Sequence, residues 1–237
     1  MARQQRVSRG LLLTGVVVVG LVTAIAVAVF RAVDDEPPAT AARPQAPPAH
    51  IVANGAIPVG DPSAPTTVEI YLDLMCPACG QFERTNGEEL DRLVQAGSAK
   101  LELHLMSFLD RTSRGTRYST RAANAVATVA DRDPRHVWPF VRALYDNQPA
   151  EGTPGLDDPR IAELAAGAGV DRGAVDAFGE RLFEPWVAEV NQAALASGVR
   201  GTPTVKIDGV VFDGDLFHVG PLTGAIEAGS GSRWPSR

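Results

Sequence analysis

The longest uninterrupted apolar stretch in the chain is Leu11 to Phe30, an uncharged run of 20 residues. That is about the length a helix needs to cross the hydrocarbon core of a bilayer. Arg3, Arg6 and Arg9 precede the run and Asp34, Asp35 and Glu36 follow it. The positive-inside bias therefore places the N-terminus in the cytoplasm and everything after Phe30 outside. A cleaved signal peptide is the competing reading, but its apolar region usually spans only about 7 to 15 residues; translocation of the remainder follows either way. The expectation is a cytoplasmic N-terminus over residues 1–10, a single-pass signal-anchor helix over 11–30 and a Pro/Ala-rich linker over 31–56. Within that linker, Pro37 to Pro48 carries five prolines and no apolar periodicity, which suits an extended or disordered spacer.

From Ile57 to Ala228 the pattern becomes that of a packed domain. Thr67–Asp73 and Lys100–Met106 read as strands, and between them Phe82, Leu90, Leu93 and Val94 recur at helical spacing. Asp133-Pro134, Asp158-Pro159 and Asp171 look like helix starts. Phe183, Val187, Val190 and Ala194 form a helical stripe that Gly198 stops, a pattern that reads as core packing. About four helical segments fall between the second strand and a hairpin in which Thr204–Ile207 and Val210–Phe212 flank the turn Asp208-Gly209. A closing helix over Pro221–Ala228 and a flexible tail over 229–237 complete the chain.

The 237 residues, 45% hydrophobic and 21% charged, suit one sizeable core rather than two. A net charge of -6 without a cluster of Lys and Arg argues against a nucleic-acid partner. With no obvious dimerisation segment the domain reads as a monomer.

The only two cysteines, Cys76 and Cys79, sit in Met75-Cys76-Pro77-Ala78-Cys79-Gly80. A translocated protein can keep a disulfide, but as a staple this short closure contributes only about 2 kcal/mol where loop entropy favours long loops. The pair is also half of a tetrahedral zinc set, yet His50, His104, His136 and His218 are not paired at the close spacing that completes one. Redox chemistry remains the principal reading. Between strand and helix, Cys76 falls at the N-cap and Pro77 at the first helical position, where its missing N–H costs nothing. The N–H groups of Ala78 and Cys79 are then free to face the Cys76 sulfur, and with the helix dipole they favour a thiolate. A substrate thiolate attacking the Cys76 side of a disulfide expels Cys79; run in reverse, reduced Cys76 attacks a substrate disulfide and Cys79 resolves it.

Strand, Cys-Pro-x-Cys and helix, followed far downstream by Gly201-Thr202-Pro203-Thr204 before a strand, resemble the DsbA-like branch of the thioredoxin superfamily. The resemblance implies an α/β thioredoxin-like fold with an inserted helical subdomain over about 115–198, besides the N-terminal transmembrane helix. It makes Cys76 and Cys79 catalytic, with Pro77, Ala78, Thr202 and Pro203 as active-site support. Pro203 would be a cis-proline facing the cysteines, and Thr202 would offer backbone hydrogen bonds to an extended substrate. The chain departs from the family at two places. Ile70 stands where many members carry a buried acid six residues before the first cysteine, with Glu69 facing the other side of the strand. Pro77-Ala78 also lacks the histidine of the strongest oxidants, which implies moderate oxidising power.

Several neighbours invite a role. Met75 and Tyr71 would line a peptide groove or pack the sheet. Glu69 and Asp73 share a strand face and would relay protons or, the commoner case, be exposed. His104 reads as a satisfied strand histidine. The resemblance implies no organic cofactor, secreted or cell-envelope protein substrates bearing thiols or disulfides, and reoxidation by a quinone-linked membrane partner of the DsbB or vitamin K epoxide reductase-like kind. The other readings are a reductase of the same fold, for example in cytochrome c maturation, and a non-enzymatic module binding peptides or copper.

Overall fold

The computed structural model describes residues 46–229. The cytoplasmic N-terminus, the signal anchor, most of the linker and the tail beyond Gly229 lie outside the described residues. Among the described residues no helix is long and apolar enough to cross a membrane.

Five strands form one sheet: β1 (Ile57–Val59), β2 (Thr66–Asp73), β3 (Ala99–Met106), β4 (Thr204–Ile207) and β5 (Val210–Val211), in the order β1-β3-β2-β4-β5. β2 and β3 run parallel, from Thr66 opposite Ala99 to Asp73 opposite Met106. A parallel pair needs a crossover, and α1 (Pro77–Gln95) supplies it. β1, β4 and β5 add antiparallel edges. The turn between β4 and β5 puts Asp208 at φ 48° and Gly209 at φ 82°, as a two-residue hairpin requires. The Asp208 carboxylate pins this turn to β2 by accepting from the Thr67 amide (2.8 Å).

Alternation along the strands sends Val68, Ile70 and Leu72 of β2, Leu101, Leu103 and Leu105 of β3, and Val205 and Ile207 of β4 into one core with Phe82, Leu90 and Leu93 of α1. Ile70, where the family pattern would put an acid, is fully buried in that core.

Between β3 and β4 come five α-helices: α2 (Tyr118–Arg132), α3 (Val137–Asp146), α4 (Asp158–Gly167), α5 (Arg172–Asp176) and α6 (Glu184–Ala196). The sequence pattern gives about four: its helix starts lead α3, α4 and α5 and its apolar stripe is α6, so α2, which has no proline or capping signal at its start, is the one it lacks. Asp157 and Asp171 cap α4 and α5 by accepting from the amides of Arg160 and Gly173, whereas Asp133-Pro134 opens a 3₁₀ turn before α3. The helix α7 (Pro221–Ala228) closes the fold against α1.

Residues 46–56, assigned to the spacer by composition, lie within the compact unit. Pro48 is buried, Ala56 is fully buried, and the Ala49 amide donates to Asp131 (2.8 Å). Proline content marks where a chain cannot form regular structure, not where it leaves the domain surface.

Candidate active site

β2 ends at Asp73 and α1 begins at Pro77, so residues 74–76 form the turn that carries the first cysteine to the edge of the core. Cys76 is the N-cap residue, at φ -71° and ψ 117°, with Pro77 in the first helical turn. Its carbonyl accepts the first intrahelical bond, from Gly80 (3.1 Å), and its amide donates to the Asp73 carbonyl (3.0 Å). Both cysteines are free thiols.

The Thr202–Pro203 peptide bond is cis. It brings the Thr202 carbonyl to 3.4 Å from Cys76 Sγ, close enough to accept from the thiol. The two elements farthest apart in the expected site, the Cys-Pro-Ala-Cys turn and the Thr202-Pro203 segment, are thus in contact. Pro77 and Ala78 lie at the rim of the same turn.

The two thiols differ sharply. Cys76 is 9% exposed and Cys79 is completely buried. The hydrogen bond from the Cys79 thiol, reinforced by the Thr202 side chain and by the amides of Cys79 and Ala78, holds Cys76 down at about 6 against the cost of its burial. Near neutral pH this favours the thiolate over the thiol. Cys79 moves the opposite way: burial first, then the hydrogen bond to Cys76 and the charge there, push it well above the ordinary thiol range.

Asp73 is the feature that sequence reasoning underrated. Strand alternation puts it on one face with Glu69, where an exposed carboxylate is the commoner case, but it is completely buried. One carboxylate oxygen accepts from the Ser119 hydroxyl (2.7 Å) and the Met75 amide (2.9 Å), the other from the Leu109 amide (2.9 Å). Burial nevertheless raises it to about 6, outweighing those three donors, and the charge on Cys76 adds to the rise. Its position at the last residue of β2, where the turn folds under α2, was the available signal; the burial depends on Ser119, 46 residues away.

Two more residues reach the turn from the inserted helices. The Tyr145 hydroxyl donates to the Asp73 carbonyl (3.2 Å), and the Gln148 amide donates to the carbonyls of Cys76 (2.9 Å) and Leu74 (3.3 Å). Neither carries a local sequence signal.

Other expectations resolve differently. Met75 and Tyr71 are packed inside, at 0% and 4% exposure, so they belong to the core rather than to an open groove. Glu69 accepts from the Tyr71 hydroxyl (3.2 Å) and pairs with Lys206 (3.5 Å). His104 stacks on Tyr71 with ring centroids 4.1 Å apart, but its Nε2 has no hydrogen-bond partner. It is a buried histidine left unsatisfied. Among the described residues no group of three or more His, Cys, Asp or Glu side chains gathers to hold a metal ion.

The thioredoxin family model matches residues 53–220. A stretch of the serine/threonine-protein kinase PknE of Mycobacterium tuberculosis is 33% identical over 162 residues, covering 65% of this chain and 29% of the kinase. The chain thus spans less than a third of that relative's length. Among solved structures, the reduced disulfide bond oxidoreductase DsbG of M. tuberculosis is similar at 32% identity and TM-score 0.60, covering 68% of this chain and 81% of that one. Oxidised DsbA of M. tuberculosis is similar at 29% identity and TM-score 0.59, covering 73% of this chain and 98% of that one.

Proposed function

Because this chain belongs to the thioredoxin family, in its DsbA-like branch of thiol–disulfide oxidoreductases, we propose that it oxidises cysteine pairs of secreted or cell-envelope proteins through Cys76 and Cys79. In this reading it is a single-pass membrane protein with its N-terminus in the cytoplasm and its catalytic domain outside. The observation that carries the chemistry is the asymmetry of the two thiols, one acidic and at the edge, the other buried and basic.

The asymmetry gives each sulfur a role. A substrate thiolate attacks Cys76 of the disulfide form; a bond forms between the two sulfurs, the Cys76–Cys79 bond breaks, and Cys79 leaves as a thiolate. Because Cys79 holds its proton tightly, it is protonated at once; in this reading buried Asp73, held near 6 and responsive to the Cys76 charge, is the group that exchanges that proton. A second substrate thiolate then attacks the substrate sulfur of the mixed disulfide and expels Cys76, which is a good leaving group because its thiolate is stable near neutral pH. The substrate loses two electrons and the protein gains them. A membrane partner of the DsbB or vitamin K epoxide reductase-like kind removes them again, since this chain has no second cysteine pair to pass them to. Thr202, with its carbonyl at Cys76, offers backbone hydrogen bonds to the extended substrate, in the manner of an added strand.

The test is the oxidation of a reduced, unfolded secreted protein by the full-length chain in a glutathione buffer. Wild type should restore its disulfides, Cys76→Ser should do nothing, and Cys79→Ser should accumulate a mixed disulfide through Cys76. Full activity of Cys76→Ser would reduce the chain to a peptide-binding module.

A further inference from the structure

The C-terminal end of α3 holds three of the four carbonyls of the turn from Asp73 to Cys76. Tyr145 donates to Asp73, and three residues on, the side-chain amide of Gln148 donates to both Leu74 and Cys76. The Gln148 backbone is itself held: its main-chain N–H donates to the Tyr145 carbonyl (3.1 Å), and neighbouring Asn147 accepts from Arg160 of α4 (2.7 Å). The end of α3 and the residues just after it therefore grip the strand-to-helix turn at its backbone, while the Thr202 carbonyl faces Cys76 Sγ.

The sequence has made room for this grip at one position. A Cβ on Gly80 would collide with Gln148 Oε1 and stand 2.9 Å from its Cδ. Gly80 is not at a positive φ and sits in the first turn of α1, where alanine is the better helix former. Backbone conformation does not call for glycine there; the space a Cβ would take is filled by the Gln148 amide, with Arg84 Nη1 3.0 Å away, so a larger residue would push Gln148 aside.

We propose that Gln148 is a positioning residue for the thiol–disulfide reaction, which fixes the Cys76 carbonyl and with it the orientation of the N-cap turn around the Cys76 sulfur. The inference rests on Cys76 being the reacting thiolate. Two donors, the Gly80 amide and the Gln148 side chain, hold the Cys76 carbonyl. Held so, the peptide keeps the Ala78 and Cys79 amides directed at Sγ, where they stabilise the thiolate. Without Gln148 the carbonyls of Leu74 and Cys76 lose a donor, and the turn is free to rotate their negative ends toward the sulfur.

The experiment titrates the Cys76 thiolate by its alkylation rate against pH and measures the equilibrium with glutathione, both on the full-length protein. Gln148→Ala should raise the Cys76 pKa and shift the glutathione equilibrium about three- to tenfold toward the protein disulfide, the worth of one hydrogen bond. Gln148→Met, similar in length but without the donor, should behave like Gln148→Ala; a wild-type titration in that variant would show that packing alone matters and would overturn the proposal. Gly80→Ala should reproduce the shift by displacing Gln148, and it does so even if Gln148→Ala fails to fold. The double variant should show little beyond either single change, whereas additive shifts would mean that the two positions act separately. A wild type that never exchanges with glutathione would refute the redox reading itself. A cycling wild type with an unchanged Gln148→Ala would refute only the role of Gln148.

Discussion

Asp73 at the end of β2 and His104 on β3 are both buried ionisable groups of the same sheet, two residues apart in register. Burial acts on both in the same sense, against charge: it raises Asp73 to about 6 and lowers His104 to about 4. What differs is the company. Asp73 has three donors on its carboxylate and responds to the charge on Cys76. His104 has a stacked tyrosine, an Nε2 without a hydrogen-bond partner though 3.9 Å from the Glu69 carboxylate, and the Lys206 charge, which adds to its depression. A perturbed pKa alone thus does not mark a functional residue; a perturbed pKa coupled to a reacting sulfur does.

The strongest way to break the comparison is to remove the sulfur to which one side is coupled. Cys76→Ser should abolish disulfide transfer in the refolding assay while leaving thermal unfolding of the reduced protein nearly unchanged.

The next is Asp73→Asn, which should slow the attack of Cys79 on a preformed mixed disulfide by about tenfold to a hundredfold. With Cys76 blocked in that mixed disulfide its thiolate charge no longer adds to the rise, so the wild-type rate should inflect somewhat below pH 6, and the inflection should vanish in the variant. Rapid-mixing kinetics across pH 5 to 8, set by that value, would measure both. A wild-type rate in the variant would move Asp73 into the same class as His104.

The smallest effect is on stability, and its sign separates the two residues. Asp73, raised above its unfolded value of about 3.9, contributes stability that is present below that pH and is lost as pH rises through about 6. His104, depressed below about 6.5, contributes stability that is present above that pH and is lost as pH falls through about 4. Between roughly pH 4 and 6 their contributions therefore slope in opposite directions. His104→Phe, which keeps the ring and removes the unpaired nitrogen, should leave activity intact and be neutral or stabilising by about 1 kcal/mol at pH 7. Urea unfolding at several pH values should show Asp73→Asn and His104→Phe changing the wild-type slope with opposite sign.

The parts legible from sequence are those whose signal is local. The strands around Cys76 and the Asp208-Gly209 hairpin are read to within a residue, and the closing helix over Pro221–Ala228 as it stands. The contact of Thr202-Pro203 with the cysteines followed from family resemblance, because nothing local joins residues 126 positions apart. Asp73 was misjudged because strand alternation assigns a face and says nothing of what covers it; here Ser119 and the Leu109 amide do. Tyr145 and Gln148 were invisible for the same reason, since a tyrosine or glutamine at a helix end is ordinary until the fold brings it onto a turn more than 70 residues away. β1 was missed because three residues around Pro58 carry no alternation to read.

The most direct test of the account is the reduction potential of the Cys76–Cys79 pair, measured on the full-length protein in glutathione buffers by counting free thiols. An acidic Cys76 stabilises the reduced form, so the potential should lie above the glutathione couple, toward the roughly -120 mV of a strong DsbA-type oxidant but short of it. A value near the -270 mV or so of thioredoxin would contradict the account and make the protein a reductase.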